Sequence, residues 1–305
     1  MIKRDIILSA HGYTAGISSA AGGCCLSLKN DRLGVKIFNT PPTEEAFLDN
    51  PCLFGNPILF PPNRTRGGEF EFGGRTYRFP INDPYSGSHL HGVLHTTPFS
   101  VVKASADSVT LTFSAEAGEY LDFPHAFSVT REYTLTPDGL IEATTAENRS
   151  ERPMPFMLAY HTTFDLSDLS EDCLLSAPVV REQLRDEHYM PIKKWASGRE
   201  RDIAITRGEY RIFPDKLSAL YEISGKISRI TDPVSKKSLV MECSEQFGYR
   251  MIFRSEGAKF ICIEPQTSAI DLFHLETPAE ENGLIVIAPG ERVSLCVRYA
   301  TEEIK

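Results

Sequence analysis

A chain of 305 residues, 41% of them hydrophobic and 24% charged, has the composition of a folded globular protein and is neither disordered nor fibrous. Its formal charge of −9, from 32 Lys plus Arg against 41 Asp plus Glu, comes with no basic run, so nucleic acid is not an expected partner. No apolar stretch approaches the ~18–20 residues that span a bilayer, so no membrane partner is expected either.

Near the start, Ile6-Ile7-Leu8 behind Lys3 and Arg4 is too short for a signal-peptide core, and the expected location is the cytoplasm. Seven cysteines (Cys24, Cys25, Cys52, Cys173, Cys243, Cys262 and Cys296) contain no CxxC pair. They read as buried free thiols rather than a disulfide framework or a zinc site.

Taken in chain order, the first helical signal covers residues 43–48. The apolar, proline-rich run 56–62 then closes on Asn63-Arg64, a pair of side chains suited to binding sugar hydroxyls or a carboxylate. Gly73-Gly74 between Phe70-Glu71-Phe72 and Thr76-Tyr77-Arg78-Phe79 predicts a hairpin with a two-residue turn. Val109, Leu111 and Phe113 alternate with threonines, the period of a strand with one buried face. Phe127, Val129, Tyr133 and Leu135 repeat the pattern, interrupted by Arg131, and Thr136-Pro137-Asp138-Gly139 supplies the turn of a second hairpin.

Residues 179–185 and 215–221 carry short helical signals, and strands are expected at 239–243, 249–253, 260–263, 284–287 and 293–299. No segment of about 12 residues carries an amphipathic helical stripe. Many short strands bounded by 21 Gly and 20 Pro, with no linker or repeat, predict one all-β domain over residues 1–305.

Four places hold side chains with chemistry to offer. His89 and His91 would share a face if they lay on one strand, and with His95 they could bind a metal. The alternative is histidines hydrogen-bonded within a sheet or loop. His161 ends the apolar run Met157-Leu158-Ala159-Tyr160, where a strand would open onto a cleft, although a core histidine fits the same pattern. Glu264 ends Phe260-Ile261-Cys262-Ile263 and precedes Pro265, which reads as the strand's stop. A carboxylate there should be partly desolvated, its pKa raised toward that of a general base, although a surface or ion-paired Glu at a strand end fits the same pattern. Asn63-Arg64 is the fourth, although a loop arginine beside prolines is more often structural or solvated.

In order, these segments resemble the aldose 1-epimerase (galactose mutarotase) family. Asn63-Arg64, Gly67-Gly68, Tyr77, Ile81-Asn82 and Leu90-His91-Gly92 are similar to its first block. The second runs from Phe123-Pro124-His125 through Tyr133, Gly139-Leu140, Asn148 and Pro155-Phe156 to His161. The third holds Ile263-Glu264-Pro265, Asp271, Gly283-Leu284 and Pro289-Gly290-Glu291. The resemblance implies a large β-supersandwich and cofactor-independent interconversion of the α and β anomers of a free sugar. It implies Glu264, His161 and His91 as catalytic residues, Asn63 and Arg64 as substrate contacts, and no metal.

The chemistry suits these groups: Glu264 would take the proton of the C1 hydroxyl, protonated His161 would supply one to the ring oxygen, and His91 would orient the sugar. Attraction between Glu264 and His161 is expected to keep both charged near neutrality. The family's substrate-binding aspartate falls on Ser218 in Leu217-Ser218-Ala219-Leu220-Tyr221, unless Asp215 replaces it. A serine lacks the charge-assisted hydrogen bond of a carboxylate, which leaves the sugar open.

A phosphorylated or otherwise modified sugar would need basic residues around the pocket. Arg66, Arg75 and Arg78 lie near the first block, but alternation puts Arg75 and Arg78 on opposite faces, so no clamp is legible. A non-catalytic sugar-binding protein and a cupin-like metal enzyme are the remaining readings, and the sequence carries no signal for oligomeric state.

Overall fold

The structure, a computed structural model, describes residues 3–304. It is all-β in character, with two short α-helices among the described residues. A nine-stranded antiparallel sheet runs in spatial order Ser100–Ala104, Ser108–Ala115, Phe127–Thr136, Gly139–Asn148, Arg292–Glu303, Lys237–Cys243, Ile227–Asp232, Leu174–Ser176 and Tyr210–Arg211. A second sheet runs Pro191–Ala196, Val179–Arg185, Leu217–Ile223, Tyr249–Arg254, Phe260–Gln266, Ala159–Tyr160 and Ile58–Leu59, with Thr163–Asp165 also pairing Phe260–Gln266. A separate four-stranded sheet of Ile6–Ala10, Tyr13–Ser18, Cys24–Asn30 and Val35–Lys36 packs its buried face into the same core.

The two large sheets meet through their inner faces. Tyr160 donates to Thr144 Oγ1 at 2.6 Å and the Thr162 and Tyr299 hydroxyls lie 3.0 Å apart, each contact joining one sheet to the other. Alternation along each strand fills the space between. Val109 and Leu111, then Phe127, Val129, Tyr133 and Leu135, are buried as their period demands. Each such side chain contributes about 1.5–3 kcal/mol by leaving water. Both predicted hairpins form, Glu69–Phe72 with Arg75–Arg78 and Phe127–Thr136 with Gly139–Asn148, and Gly73 and Gly74 take positive φ (58° and 72°).

Arg131, the polar interruption in the second hairpin, is wholly buried. It donates through Nε and Nη2 to Glu142 Oε1 (2.9 and 2.5 Å), and to the Gly22 and Asn56 carbonyls at 2.7 and 3.1 Å, while the Asn56 amide bonds the other oxygen of Glu142. All seven cysteines are free; five are buried, and Cys52 and Cys296 are half-buried.

One local expectation of a helix holds and three other expectations are corrected. The helix expected at 43–48 is present as Glu44–Asp49, with Thr43 accepting from Ala46 N–H. The segments read as helices at 179–185 and 215–221, however, are the strands Val179–Arg185 and Leu217–Ile223. They pair with each other and with outer neighbours Pro191–Ala196 and Tyr249–Arg254. The helix formers Glu182, Gln183 and Leu184 are overruled by sheet neighbours on both sides. The second helix is instead Glu200–Arg207, with acidic residues in its first turn, Arg207 in its last and Gly208 closing it at φ 72°.

Finally, the strand carrying Glu264 runs through Pro265 to Gln266. Alternation points the Pro265 nitrogen to the same side as those of Ile263 and Thr267, which bond the Thr162 and Leu158 carbonyls at 3.0 and 2.9 Å. Pro265 faces the break between Ala159–Tyr160 and Thr163–Asp165, where the ladder calls for no donor. His161 fills that break.

Candidate active site

The proposed residues converge on one cleft of about 630 Å³ at the surface of the second sheet. The first wall is built by a short ladder. Arg64–Arg66 pairs with Ser88–Leu90, and beyond its end His91 N–H donates to the Asn63 carbonyl at 2.9 Å. Both residues turn through the left-handed region (φ 53° for Asn63, 65° for His91), which lets the chain leave the ladder and aim both side chains into the cleft. Gly92 follows because a Cβ there would stand 1.8 Å from the Phe60 carbonyl oxygen. Arg64 is held by Asp83, Nε to Oδ2 at 2.8 Å, with its guanidinium carbon 5.1 Å from the Tyr189 ring centre.

His161 and Glu264 form the floor. Backbone N–H of His161 donates to the Pro57 carbonyl at 2.8 Å, fixing it beside the strand of Glu264. His161 Nε2 lies 3.2 Å from Glu264 Oε1, and the His91 ring meets that of His161 edge-on at 5.5 Å between centres. The structure thus brings together all five residues, Asn63, Arg64, His91, His161 and Glu264.

Burial governs their protonation. It pushes Glu264 up to about 8, against the pull of the Gln266 amide and the Arg185 charge, and pushes His161 down to about 4. His91 goes well below its usual value, through burial first and the charge that His161, His95, Arg64 and His89 would place beside it second. The expectation that attraction would keep the pair charged is reversed. Burial disfavours the charged form of each, raising the carboxyl and lowering the imidazole, so near neutrality the pair is held toward its uncharged form.

Asn63 Oδ1, His91 Nδ1 and His161 Nδ1 are buried without a hydrogen-bond partner in the protein. An unsatisfied buried polar atom costs about 1–3 kcal/mol, so three together mark a surface shaped for a ligand dense in hydroxyl groups.

The metal reading of His89, His91 and His95 does not assemble. His89 turns away from the cleft, stacking on Phe79 at 5.0 Å with Nδ1 2.7 Å from the Pro80 carbonyl oxygen, because the strand ends at Leu90 before alternation could align it with His91. Among the described residues, the donors close enough to share an ion are His161, Cys262 and Glu264, within 4.8 Å of one another.

Ser218 lines the cleft, and Asp215 does not. Arg75 and Arg78 are exposed outside it, Arg78 paired with Glu69 at 2.7 Å. The residue that sequence reasoning missed is Arg185, which reaches the cleft from the strand misread as a helix. The strand period would have placed it; the helical reading hid it.

A family model described as aldose 1-epimerase matches residues 4–300. The uncharacterised Escherichia coli (strain K12) protein YphB is 25% identical over 248 residues, 77% of this chain and 79% of its own. The solved structure of a galactose mutarotase-like protein from Clostridium acetobutylicum superposes with a TM-score of 0.92 at 26% identity, covering 98% of this chain and 95% of that one. A GalM/aldose epimerase homologue from C. elegans superposes at 0.81 with 17% identity, covering 98% and 99%, a likeness of fold. The all-β architecture is therefore the mutarotase-like supersandwich, and with nearly its whole length matched the chain belongs to the aldose 1-epimerase family.

Proposed function

We propose that the protein is a cofactor-independent mutarotase that interconverts the α and β anomers of an aldose. The observation that carries this reading is the His161–Glu264 pair, 3.2 Å apart and out of water at the floor of a sugar-sized cleft.

Anomer exchange removes the C1 hydroxyl proton and adds one to the ring oxygen as the C1–O5 bond breaks. Rotation about C1–C2 turns the other face of the aldehyde, and the transfers reverse. A pair carrying one proton closes this balance. Sugar hydroxyls donating to Glu264 favour its ionised form, and the proton passes across the short gap to His161. Glu264 then accepts from O1 while His161 donates to O5. Each positioned transfer contributes about 10²–10⁴-fold. His91 supplies a hydrogen bond to the sugar, and Asn63 and Arg64 fix its hydroxyls.

We place the reaction in the cytoplasm: seven free thiols suit a reducing compartment. Magnetisation-exchange NMR on equilibrated anomers of a panel of aldoses tests the activity directly. Catalysed exchange with any of them supports it, and exchange no faster than in buffer with all of them refutes it.

A further inference from the structure

Beneath the floor of the cleft lies a thiol that the proton transfers do not use. Cys262 sits two residues before Glu264 on Phe260–Gln266, so alternation turns both side chains to the same face. It is wholly buried, with Sγ 3.3 Å from Thr163 Oγ1. One donor atom from each of His161, Cys262 and Glu264 falls within 4.8 Å of the other two.

That spacing is close to the edges of a zinc tetrahedron. Zn–N and Zn–O bonds of about 2.0–2.2 Å set two such ligands about 3.3–3.5 Å apart, and a thiolate at ~2.3 Å stands about 3.6 Å from each. His161 Nε2 and Glu264 Oε1, 3.2 Å apart, already span one edge. Cys262 Sγ has on the order of 1 Å to close, within the swing of a thiol about a single torsion. The Gln266 amide, 3.4 Å from Glu264 Oε2, leaves Oε1 facing His161.

Charge favours the ion as well. A thiolate and a carboxylate neutralise Zn2+ and the imidazole binds uncharged, so the filled site buries no net charge, and the protons these groups held pass to solvent. A neutral site also escapes the repulsion that Arg64 and Arg185 on the cleft wall exert on a bare cation. Thiolate with imidazole selects zinc or cobalt over magnesium or calcium.

His161 Nδ1 has no partner in the protein. A resident zinc site holds that atom with a carboxylate or carbonyl, and losing such a partner costs ~10–100-fold in affinity. The floor therefore suits an ion that comes and goes. While bound, that ion occupies both the acid and the base.

We propose that His161, Cys262 and Glu264 form a reversible inhibitory site for Zn2+, its fourth position open to the cleft, and that the mutarotase is off while the site is filled. The inhibition rests on the mutarotase reading; the binding does not.

The test starts from the full chain stripped with a chelator and desalted. Co2+, used as a probe, should bind one ion per chain with a thiolate-to-cobalt charge-transfer band in the near ultraviolet, and Zn2+ should bleach it. Zn2+ at the concentrations that displace Co2+ should abolish catalysed exchange in NMR, EDTA should restore it, and Mg2+ should leave it unchanged. Cys262→Ser should lose the band and lower zinc affinity by about 100-fold or more, since even an outer partner is worth ~10–100-fold, while exchange without metal persists. Cys262→Ala, which brings no hydroxyl, should do the same, and Cys52→Ser, the other thiol at this cleft, should keep both band and inhibition. Cobalt bound without the band, a band that survives Cys262→Ser and Cys262→Ala, or exchange that zinc does not slow overturns the proposal while the mutarotase reading stands. Activity that the stripped protein lacks and zinc restores overturns it too, by making the ion a cofactor. No exchange of any aldose overturns the mutarotase reading and with it the inhibition, whereas the cobalt band still decides whether the three residues hold a metal.

Discussion

His161 Nε2 and Glu264 Oε1 stand 3.2 Å apart with both side chains withdrawn from water, His161 on a break between two short strands and Glu264 on the strand that faces the break. Such a pair titrates as a unit, and the singly protonated form is the one that can both give and take a proton.

The pH profile follows from that form. Below about 4 His161 gains a second proton for the pair, and above about 8 Glu264 loses the only one, so kcat/KM should be a bell with limbs near those values. The acid limb belongs to the imidazole and the alkaline limb to the carboxyl. In His161→Asn the residual rate should lose its acid limb and keep the alkaline one. The opposite result would put the proton on the imidazole in the free protein.

Glu264→Gln is nearly isosteric and removes the carboxylate that faces His161. The catalysed rate should fall by about 10²-fold or more with an unchanged circular-dichroism spectrum. A variant retaining a tenth of the wild-type kcat/KM would assign the base elsewhere.

Dialysis against a strong chelator should leave the rate unchanged, because the proposed transfers are complete with protein side chains. Loss of activity restored by zinc or manganese would instead move the chemistry to an ion on His161, Cys262 and Glu264.

Arg131 and Glu142 test the fold rather than the site. Glu142→Ala leaves a buried guanidinium with no counter-charge, facing the Gly22 and Asn56 carbonyls and the Tyr133 and Tyr160 rings, and should lower unfolding free energy by about 3–5 kcal/mol in urea titration. Replacing both with apolar residues of similar volume should cost much less. Equal losses in the single and double variants would show that the pair contributes net stability of its own.

Local chemistry determined much of this protein before any contact was known. Alternating side chains at Val109–Leu111 and Phe127–Leu135, and turn residues at Gly73-Gly74 and Pro137-Asp138-Gly139, each specify a strand or hairpin within a few residues, and these elements form where expected. The motif order also singled out Asn63, Arg64, His91, His161 and Glu264, which line a single cleft.

Long-range pairing decided the rest. Val179–Arg185 carries helix-forming side chains, and only strands on both flanks make it extended and swing Arg185 into the cleft. Pro265 reads as a stop until the break opposite it is seen. The protonation of Glu264 and His161 turns on how much water reaches them, and that depends on which strands close over the floor, a quantity no stretch of sequence carries.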